Sequence, residues 1–427
     1  MGDLLITILL PISSLLISTY ALLLWMIRIF GFVRRLPNSA IILPPAAPGS
    51  LGDEAMVCAS IDYLRKQGIE NISLIQHTNK QTYPVDVIEN IRLRNFFIYQ
   101  SWYKFIASFL YAGWKVNQYE RFYALGADVM DGYYSNYYTF KTVKMAQIAS
   151  FMGCSTGILG FSCNRQPTNI SKQLLSTLKS NVRLNARDKI SYQRLIDSIY
   201  HPVNLVADLA FLLKPAEQSE KLARVLEWVN TQKSQDKIIL GINIHILLLK
   251  QLEGITTDDL VQVLAETITK LHQDNQQLSF IFLPHDRRKF SGFNDDILSK
   301  KVIESLPSEV ASSCFKIPFP CLAREIKAIV KHIDCVLTGR MHLAIACLGQ
   351  GTPIACITYQ GKFQGLYQHF NLEPLFIEPK KLFVPNQNQL VELVHKLIAQ
   401  RQSLHEQVVS KLDEVKELSQ ENFTSII

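Results

Sequence analysis

The sequence predicts an α/β fold made of two Rossmann-like domains that face each other across a cleft. Short apolar runs alternate with amphipathic helical segments along most of the 427 residues, which is typical of βαβ construction. The runs form two sets, separated by the polar segment Lys214–Lys233. A chain of this length has room for two full cores and an appendage. We therefore expect an N-terminal membrane anchor over residues 1–35, an N-terminal domain over 38–213, a C-terminal domain over 214–385 and a bracing helix within 386–427.

The first element is an apolar helix. Residues 4–27 contain no charged side chain and are mostly Leu and Ile, and a helix of about 20 residues spans a hydrocarbon core of roughly 30 Å. Arg28, Arg34 and Arg35 follow this run, so the positive-inside rule places the rest of the chain in the cytoplasm. A cleaved signal peptide fits poorly, because the run is too long and its basic flank lies on the wrong side. We expect a single-pass anchor in the cell membrane.

The N-terminal domain begins with a strand and a loop that leads into a helix. After the first strand, Gly52 is followed by Asp53 and Glu54, which suit the first turn of a helix that runs to about Lys66. Five apolar runs predict the strands of this sheet, over residues 39–43, 72–76, 121–125, 155–161 and 203–207.

The C-terminal domain repeats this alternation. A helix over Asp258–His272 begins behind a Thr256-Thr257 cap. The predicted strands cover residues 238–244, 279–283, 335–337 and 354–359. A long polar helix from about Gln389 to Glu421 ends the chain, and we expect it to brace one domain against the other.

One segment departs from the pattern. Asn95–Trp114 is rich in aromatic residues and contains a single charge, Lys104. A second transmembrane helix over this segment would break the predicted fold. Two interpretations stay open: a helix buried against the first sheet, and an aromatic contact with a membrane interface.

Charge and cysteine content exclude several classes of function. The formal net charge of +7 is modest and no long Lys/Arg run occurs, so nucleic acid is not expected as a partner. The eight cysteines form no CxxC pair, and most lie in apolar contexts. We expect reduced cysteines in a reducing compartment and no bound metal.

The most informative stretch is Asp334–Phe370. It places Arg340 and His342 where a strand meets the amino end of a helix, and Lys362 just beyond the next strand. Ligands of open α/β sheets bind at that edge, and helix amino termini favour anions. Two cations and one imidazole there predict an anionic substrate that needs a proton moved. The alternative is a buried histidine flanked by solvated cations.

Other candidate residues lie after predicted strands, and Arg187 follows the alternating apolar run of Val182, Leu184 and Ala186. Gly52 ends a glycine-bearing loop that is neither a Walker loop nor a GxGxxG motif. Arg187 could bind a ligand or pair with Asp188 or a neighbouring carboxylate. Asp128, like Asp131, could bind sugar hydroxyls or cap a helix. His285 and Asp286 end a strand of the second half, where a nucleotide or sugar could lie.

Several short motifs follow one another along the chain: Gly52-Asp53-Glu54-Ala55, Ala186-Arg187-Asp188 with Ser191-Tyr192, Ala207-Asp208 with Phe211, Gly339-Arg340-Met341-His342, Gly351-Thr352-Pro353, and Tyr359-Gln360-Gly361-Lys362 with Gly365. In content and order they resemble the motifs of the polysaccharide pyruvyl transferase family. The similarity extends over about residues 40–420.

The resemblance implies an architecture close to the glycosyltransferase-B type and a reaction without a cofactor. Phosphoenolpyruvate is the implied donor, and its pyruvate becomes a ketal on two hydroxyls of a sugar or lipid-linked glycan. His342 is the implied general acid. Arg187 and Lys362 would hold the phosphate and carboxylate, and Arg340 would be a further anion contact or a structural pair. Gly52 and Asp53 would face the ligand.

Two rival functions and one question stay open. The first rival is a sugar-nucleotide-dependent glycosyltransferase of the same architecture. The second is a non-catalytic, membrane-tethered protein of polysaccharide assembly. The oligomeric state does not follow from the sequence.

Overall fold

A computed structural model of the chain describes residues 2–76, 82–93, 96, 101–243, 245–290, 292–358, 362–384 and 388–424, and only the backbone of residues 2–15, 102, 250, 251 and 362. The chain forms two compact units. The first comprises Met1–Pro48, Met56–Leu212 and Lys416–Ile427, and the second comprises Gly49–Ala55 and Leu213–Val415.

Two short segments are grouped differently from the predicted domains. Gly49–Ala55 belongs to the second unit because its backbone bonds to that unit, with Arg287 N donating to Gly49 O over 2.8 Å. Lys416–Ile427 belongs to the first unit, where the Asn422 side chain donates to Ala207 O over 2.9 Å and accepts from Gly160 N over 3.0 Å.

The first unit contains a seven-stranded sheet whose strands all pair in parallel, in the order β3-β2-β1-β4-β5-β6-β7. The strands are β1 (Ser39–Leu43), β2 (Asn71–Gln76), β3 (Glu89–Arg92), β4 (Arg121–Ala127), β5 (Ser155–Phe161), β6 (Val182–Ala186) and β7 (Asn204–Leu205). The order reverses between β1 and β4, which makes the carboxyl ends of these two strands the switch point of the sheet.

Helices cover this sheet. They are α1 (Gly2–Ile29), α2 (Leu51–Lys66), α3 (Trp102–Val116), α4 (Asn136–Phe151), α5 (Asn169–Ser176) and α6 (Lys189–Ile196), followed by a 3-10 turn over Leu209–Leu212. The first turn of α2 lies in the second unit. Helix α4 is almost wholly buried, as expected for the central helix on a parallel sheet.

Helix α1 packs against the first unit along one face. Ala21 and Leu24 are buried, and the Leu24 carbonyl accepts a hydrogen bond of 3.0 Å from the Asn117 side chain. Among the residues whose placement the structure describes, none of the helices is long and apolar enough to cross a membrane. The predicted membrane anchor over residues 4–27 is therefore not confirmed and stays a prediction.

Helix α3 belongs to the aromatic segment Asn95–Trp114, of which residues 95 and 97–100 lie outside the described part. Its inner face is buried: Phe105 and Phe109 stack near Phe96, with ring centroids 6.4 and 6.3 Å from that ring. The prediction of a helix packed against the first sheet is confirmed for this face. The outer face carries exposed apolar residues.

The second unit contains a six-stranded parallel sheet in the order β10-β9-β8-β11-β12-β13. Its strands are β8 (Ile238–Asn243), β9 (Leu278–Phe282), β10 (Cys314–Lys316), β11 (Cys335–Thr338), β12 (Ile354–Ile357) and β13 (Phe376–Ile377). Here the order reverses between β8 and β11. The two parallel sheets confirm the prediction of two Rossmann-like units.

The helices of the second unit are α7 (Glu220–Lys233), α8 (Thr257–Asp274), α9 (Asp295–Glu304), α10 (Ser308–Ser312), α11 (Ala323–Val330), α12 (Met341–Leu348), α13 (Lys362–His369) and α14 (Gln389–Gln420), with 3-10 turns over Ile246–Gln251 and Pro379–Phe383. Thr256 caps α8 through a capping box with Asp259, as the sequence predicts. The last residues of α14 belong to the first unit.

Candidate functional site

The switch point of the second sheet positions Arg340 and His342. Asn243 at the end of β8 pairs in register with Thr338 at the end of β11. The Thr338 hydroxyl donates to the Asn243 side chain over 3.1 Å and accepts from Arg340 N over 2.9 Å. These two hydrogen bonds stabilise the turn between β11 and α12. Helix α12 begins at Met341, with Arg340 as its N-cap residue. Ligands of open parallel sheets bind at such a point.

The Arg340 guanidinium is bound by two buried carboxylates. Its Nε and one terminal nitrogen donate to the two oxygens of Asp295 over 3.0 and 2.6 Å, and its other terminal nitrogen donates to Asp286 over 2.9 Å. Burial alone would lower the pKa of Arg340, but the two carboxylates raise it above its ordinary value. Of the two predicted roles, the structure shows the structural pair; a direct contact with substrate stays a prediction.

Asp295 holds several parts of this edge together. Besides Arg340, it accepts from the Asn243 side chain over 3.1 Å and from His285 N over 3.0 Å. Burial raises the pKa of Asp295, and the charge and hydrogen bonds of Arg340 oppose that rise. N–H donors reach both carboxylate oxygens, which favours the ionised form of Asp295. Asp295 is not among the residues predicted from the sequence, because its role depends on contacts between residues far apart in the chain.

His285 lies just beyond β9 and is 3% exposed. Within the described part of the chain, neither of its ring nitrogens has a hydrogen-bond partner. Burial lowers its pKa well below the ordinary value, and the charges of Arg340, His342 and Arg287 lower it further. His285 is therefore a neutral imidazole with one donor and one acceptor available to a ligand.

The loop Gly49–Ala55 is fastened to the segment that follows β9. Leu51 N donates to His285 O over 3.2 Å, and Ser50 forms an isolated antiparallel bridge with Asp286. These bonds place the Gly-Asp-Glu-Ala motif against the candidate site of the second unit.

Gly52 makes room for the His342 side chain. A Cβ added to Gly52 would lie 2.7 Å from His342 Cβ and closer still to Nδ1 and Cγ of the imidazole. No larger residue fits without displacing the ring. The structure thus brings together two motifs that lie far apart in the sequence, the Gly52 loop and the Arg340–His342 turn.

Asp53 and Glu54 face two arginines that follow β9. The Glu54 carboxylate lies 2.9 Å from Arg287, and the Asp53 carboxylate lies 4.0 Å from Arg288. Burial raises the pKa of Glu54, with the charge of Arg287 opposing the rise. Asp53 therefore takes part in an ionic contact, and its predicted role in substrate binding is untested. The sequence analysis missed both arginines, although two consecutive cations after a predicted strand were a usable signal.

In the first unit, Arg187 pairs with a buried carboxylate. Its guanidinium donates to Asp208 over 2.9 Å, and the two side chains are 2% and 3% exposed. Asp188, the other carboxylate considered from the sequence, instead caps α6 by accepting from N and Oγ of Ser191 over 2.7 and 2.8 Å. The structure therefore assigns the pairing to the neighbouring carboxylate of Asp208.

The two aspartates after β4 differ in exposure. Asp128 is half-buried and accepts from the Tyr134 hydroxyl over 3.3 Å. Asp131 is 1% exposed and accepts from Tyr133 N and Asn164 N over 3.0 and 2.9 Å. Asp131 therefore stabilises loop backbone, whereas Asp128 is only half-buried.

Lys362 begins α13, but its side chain lies outside the described atoms, as do Tyr359, Gln360 and Gly361.

In the described part of the chain, no group of three or more His, Cys, Asp or Glu side chains is arranged to hold a metal ion.

Comparison with solved structures defines the class of fold. The chain is similar to Staphylococcus aureus MnaA with UDP (TM-score 0.55, 10% identity, covering 87% of this chain and 91% of that one). It is also similar to UDP-GlcNAc 2-epimerase from Neisseria meningitidis bound to UDP-GlcNAc (0.54, 12%, 91% and 99%) and to a ugt transferase from Siraitia grosvenorii in complex with UDP (0.54, 12%, 91% and 98%). At these identities the likeness shows the fold alone, which is glycosyltransferase-B-like.

A family model identifies the family of the chain, which the fold alone does not. The model of the polysaccharide pyruvyl transferase family matches residues 51–361, which includes the Gly52 loop, Arg187, His285 and the Arg340–His342 turn. The chain therefore belongs to the polysaccharide pyruvyl transferase family, as the motifs predict. No curated protein matches the chain.

Proposed function

We propose that this protein transfers pyruvate from phosphoenolpyruvate to a sugar of a cell-surface or exopolysaccharide precursor, as a ketal. Family membership supports a transferase that acts on a glycan. The donor and the acceptor sugar are part of the proposal.

The observation that carries the proposal is the position of His342. It occupies the first turn of α12 at the switch point of a parallel sheet, and its imidazole fits against the bare Cα of Gly52. Arg287 and Arg288 lie on the same edge of the second unit, where they pair with Glu54 and Asp286 respectively. A titratable imidazole at the amino end of a helix suits proton transfer to a bound anion.

The reaction needs one proton delivered to carbon. His342 would donate a proton to the methylene carbon of the donor, which makes the adjacent carbon electrophilic. Two acceptor hydroxyls then form two C–O bonds to that carbon, and its bond to the phosphate oxygen breaks. Of the two hydroxyl protons, one restores His342 and the other leaves with inorganic phosphate. Charge and atoms balance without a cofactor.

Other predicted residues would bind the two substrates. Arg187 and Lys362 would hold the donor phosphate and carboxylate, the guanidinium by a planar fork and the ammonium as a point charge. His285 has two unpaired ring nitrogens within the described structure and suits a contact to a substrate oxygen. Asp128 suits a sugar hydroxyl, because it is only half-buried.

The test is to incubate the purified full chain with phosphoenolpyruvate and extracted glycan precursors. We expect release of inorganic phosphate together with ketal-linked pyruvate in the glycan, in equal amounts. Phosphate release without ketal formation, or no consumption of the donor, would refute the proposal.

A sugar-nucleotide-dependent glycosyltransferase is the second candidate. The observation that favours it is the fold, because similar structures contain UDP or UDP-GlcNAc. Transfer from a nucleotide sugar, with no reaction of phosphoenolpyruvate, would select this function. Unchanged glycan composition after joint substitution of His342, Arg187 and Lys362 would instead select a non-catalytic, membrane-tethered assembly protein.

We propose that the catalytic part faces the cytoplasm at the cell membrane, tethered through residues 4–27. The support is the apolar run and the three arginines that follow it, and phosphoenolpyruvate is a cytoplasmic metabolite. A carboxyl-terminal reporter that is active only in the cytoplasm should be active. Activity of a reporter that works only outside the cytoplasm would contradict the orientation.

A further inference from the structure

The first unit exposes an unusually apolar surface, which we name the α1–α3 face. Its members are large apolar side chains, each more than a third exposed: Leu16, Leu22, Leu23, Trp25, Met26, Ile29, Phe30 and Phe32 in and after α1, and Tyr103, Ile106, Leu110 and Tyr111 in α3. They make up twelve of the twenty such exposed side chains in the described part of the chain. Large contiguous apolar patches on a protein surface mark interaction sites.

The two helices form one surface because they are in direct contact. The Tyr20 hydroxyl donates to the Leu110 carbonyl, and the Tyr20 ring lies 2.7 Å from where a Cβ on Gly113 would be. The inner faces of both helices are already used, since Ala21, Leu24 and Phe109 are buried in the core of the first unit. The exposed apolar residues therefore do not serve the packing of the unit itself.

The apolar residues of each helix follow helical spacing. In α3, Tyr103, Ile106 and Leu110 recur on one face, opposite the buried residues. A helix on the surface of a water-soluble domain normally carries polar side chains at such positions. Here the outer face of α3 is apolar as well as the inner face, and its large side chains are more than a third exposed.

The charged residues of this face indicate what kind of partner binds it. Residues 4–35 and helix α3 contain no Asp or Glu, and their charged residues are all Lys or Arg. Lys104 and Arg34 are exposed. A surface that combines aromatic, aliphatic and basic residues is typical of proteins that bind the interface of an anionic lipid bilayer.

We propose that the α1–α3 face docks on the surface of an anionic lipid bilayer. The outer side chains of α3 enter the headgroup and upper acyl region, and Lys104 contacts anionic headgroups. This contact is more than the tether proposed above, because it adds the outer side chains of α3 to the apolar run of residues 4–27. It does not depend on the proposed reaction, since lipid binding needs neither donor nor acceptor.

The test places a polarity-sensitive fluorophore on α3 of the full chain. Leu110→Cys provides the attachment point, and the native cysteines are buried except Cys314, which is half-buried. The matched control is Tyr200→Cys, in the same unit, where the native side chain is 96% exposed. Vesicles of phosphatidylcholine and phosphatidylserine are the probe. We expect a blue shift of the emission at position 110 and no shift at position 200.

Variants in the labelled background sharpen this test. Ile106→Asp together with Tyr111→Asp should abolish the shift at position 110, because two buried charges are costly at a membrane interface. Lys104→Glu should reduce it on anionic vesicles. The control pair Ile196→Asp and Tyr200→Asp should leave it unchanged.

Two outcomes would overturn the proposal. One is an unshifted emission at position 110 while the protein floats with the vesicles, which means that the tether acts alone. The other is a blue shift that appears without vesicles and grows with protein concentration, which means that a second copy of the chain covers the face.

Discussion

The carboxyl edges of the two sheets both place an arginine after a strand, but they surround it differently. In the first unit, Arg187 pairs with Asp208. In the second unit, Arg340 binds Asp295 and Asp286, and His285 and His342 lie next to this network. An arginine at a sheet edge therefore does not by itself mean that its charge is available to a ligand.

This difference separates two kinds of residue. The buried ion pairs hold Arg187 in place at the first edge and Arg340 in place at the second. The two histidines of the second edge can interact with a substrate. His285 has unpaired ring nitrogens in the described structure, and His342 is only half-buried. We therefore place proton transfer on the second edge.

Breaking the larger network should have the largest effect on stability. Asp295→Asn removes the charge that Arg340 and its neighbours bind, and loss of one partner from a buried ion pair costs about 3–5 kcal/mol. Urea unfolding should show this loss. The control is Asp296→Asn, whose side chain is 29% exposed and pairs with Lys316; it should cost under about 1 kcal/mol. Equal losses in the two variants would contradict the role of Asp295.

Gly52→Ala tests the contact between the two motifs. The added methyl group overlaps the His342 ring, so we expect a loss of about 1–3 kcal/mol in stability. A displaced imidazole should also lower turnover, by about 10²-fold. In a His342→Ala background the same substitution should cost almost no stability, because the ring is gone. An equal loss in both backgrounds would show that another neighbour is responsible.

His285 should make the second edge sensitive to acid. Its folded pKa is far below its ordinary value, so below about pH 6.5 the unfolded chain binds a proton that the folded protein does not. Stability should therefore fall as the pH is lowered from 7 to 5, by up to about 1.4 kcal/mol per pH unit for this group. His285→Gln should flatten the dependence of melting temperature on pH. An unchanged slope would mean that His285 is protonated in the folded state.

The smallest effect should come from the exposed arginine of the loop contact. Arg288 lies 4.0 Å from Asp53 and 2.8 Å from the buried Asp286, which keeps Arg340 as a second cation, so Arg288→Ala should cost about 1 kcal/mol. Arg287→Ala should cost more, because it leaves Glu54, which is 3% exposed, without its cation. Chemical unfolding of both variants compares them. The reverse order would mean that the contacts of Arg288 stabilise this edge more than the pair of Arg287 and Glu54 does.

The sequence predicted most of the strands, because buried parallel strands are short apolar runs. Residues 39–43 and 155–161 have the predicted bounds. Strand β3 (Glu89–Arg92) was missed, since its sequence Glu-Asn-Ile-Arg has no apolar run. The predicted strand over residues 203–207 is shorter, Asn204–Leu205, because β7 is an edge strand with one neighbour.

The site was predicted as a set of residues but not as a geometry. Arg340, His342 and His285 were found because each follows a predicted strand. The contact of Gly52 with His342 and the bond of Asp295 to Arg340 were not, since local pattern says nothing about residues far apart in the chain. Their partners follow only from how the strands are ordered in the sheet.

The central claim is that His342 delivers the proton in pyruvyl transfer. The most direct measurement is turnover per folded molecule of His342→Gln with phosphoenolpyruvate and glycan acceptor, together with its melting temperature on the same preparation. We expect a fold close to that of the wild type and turnover lower by about 10²–10⁴-fold. A His342→Gln protein that is destabilised but fully active per folded molecule would contradict the account.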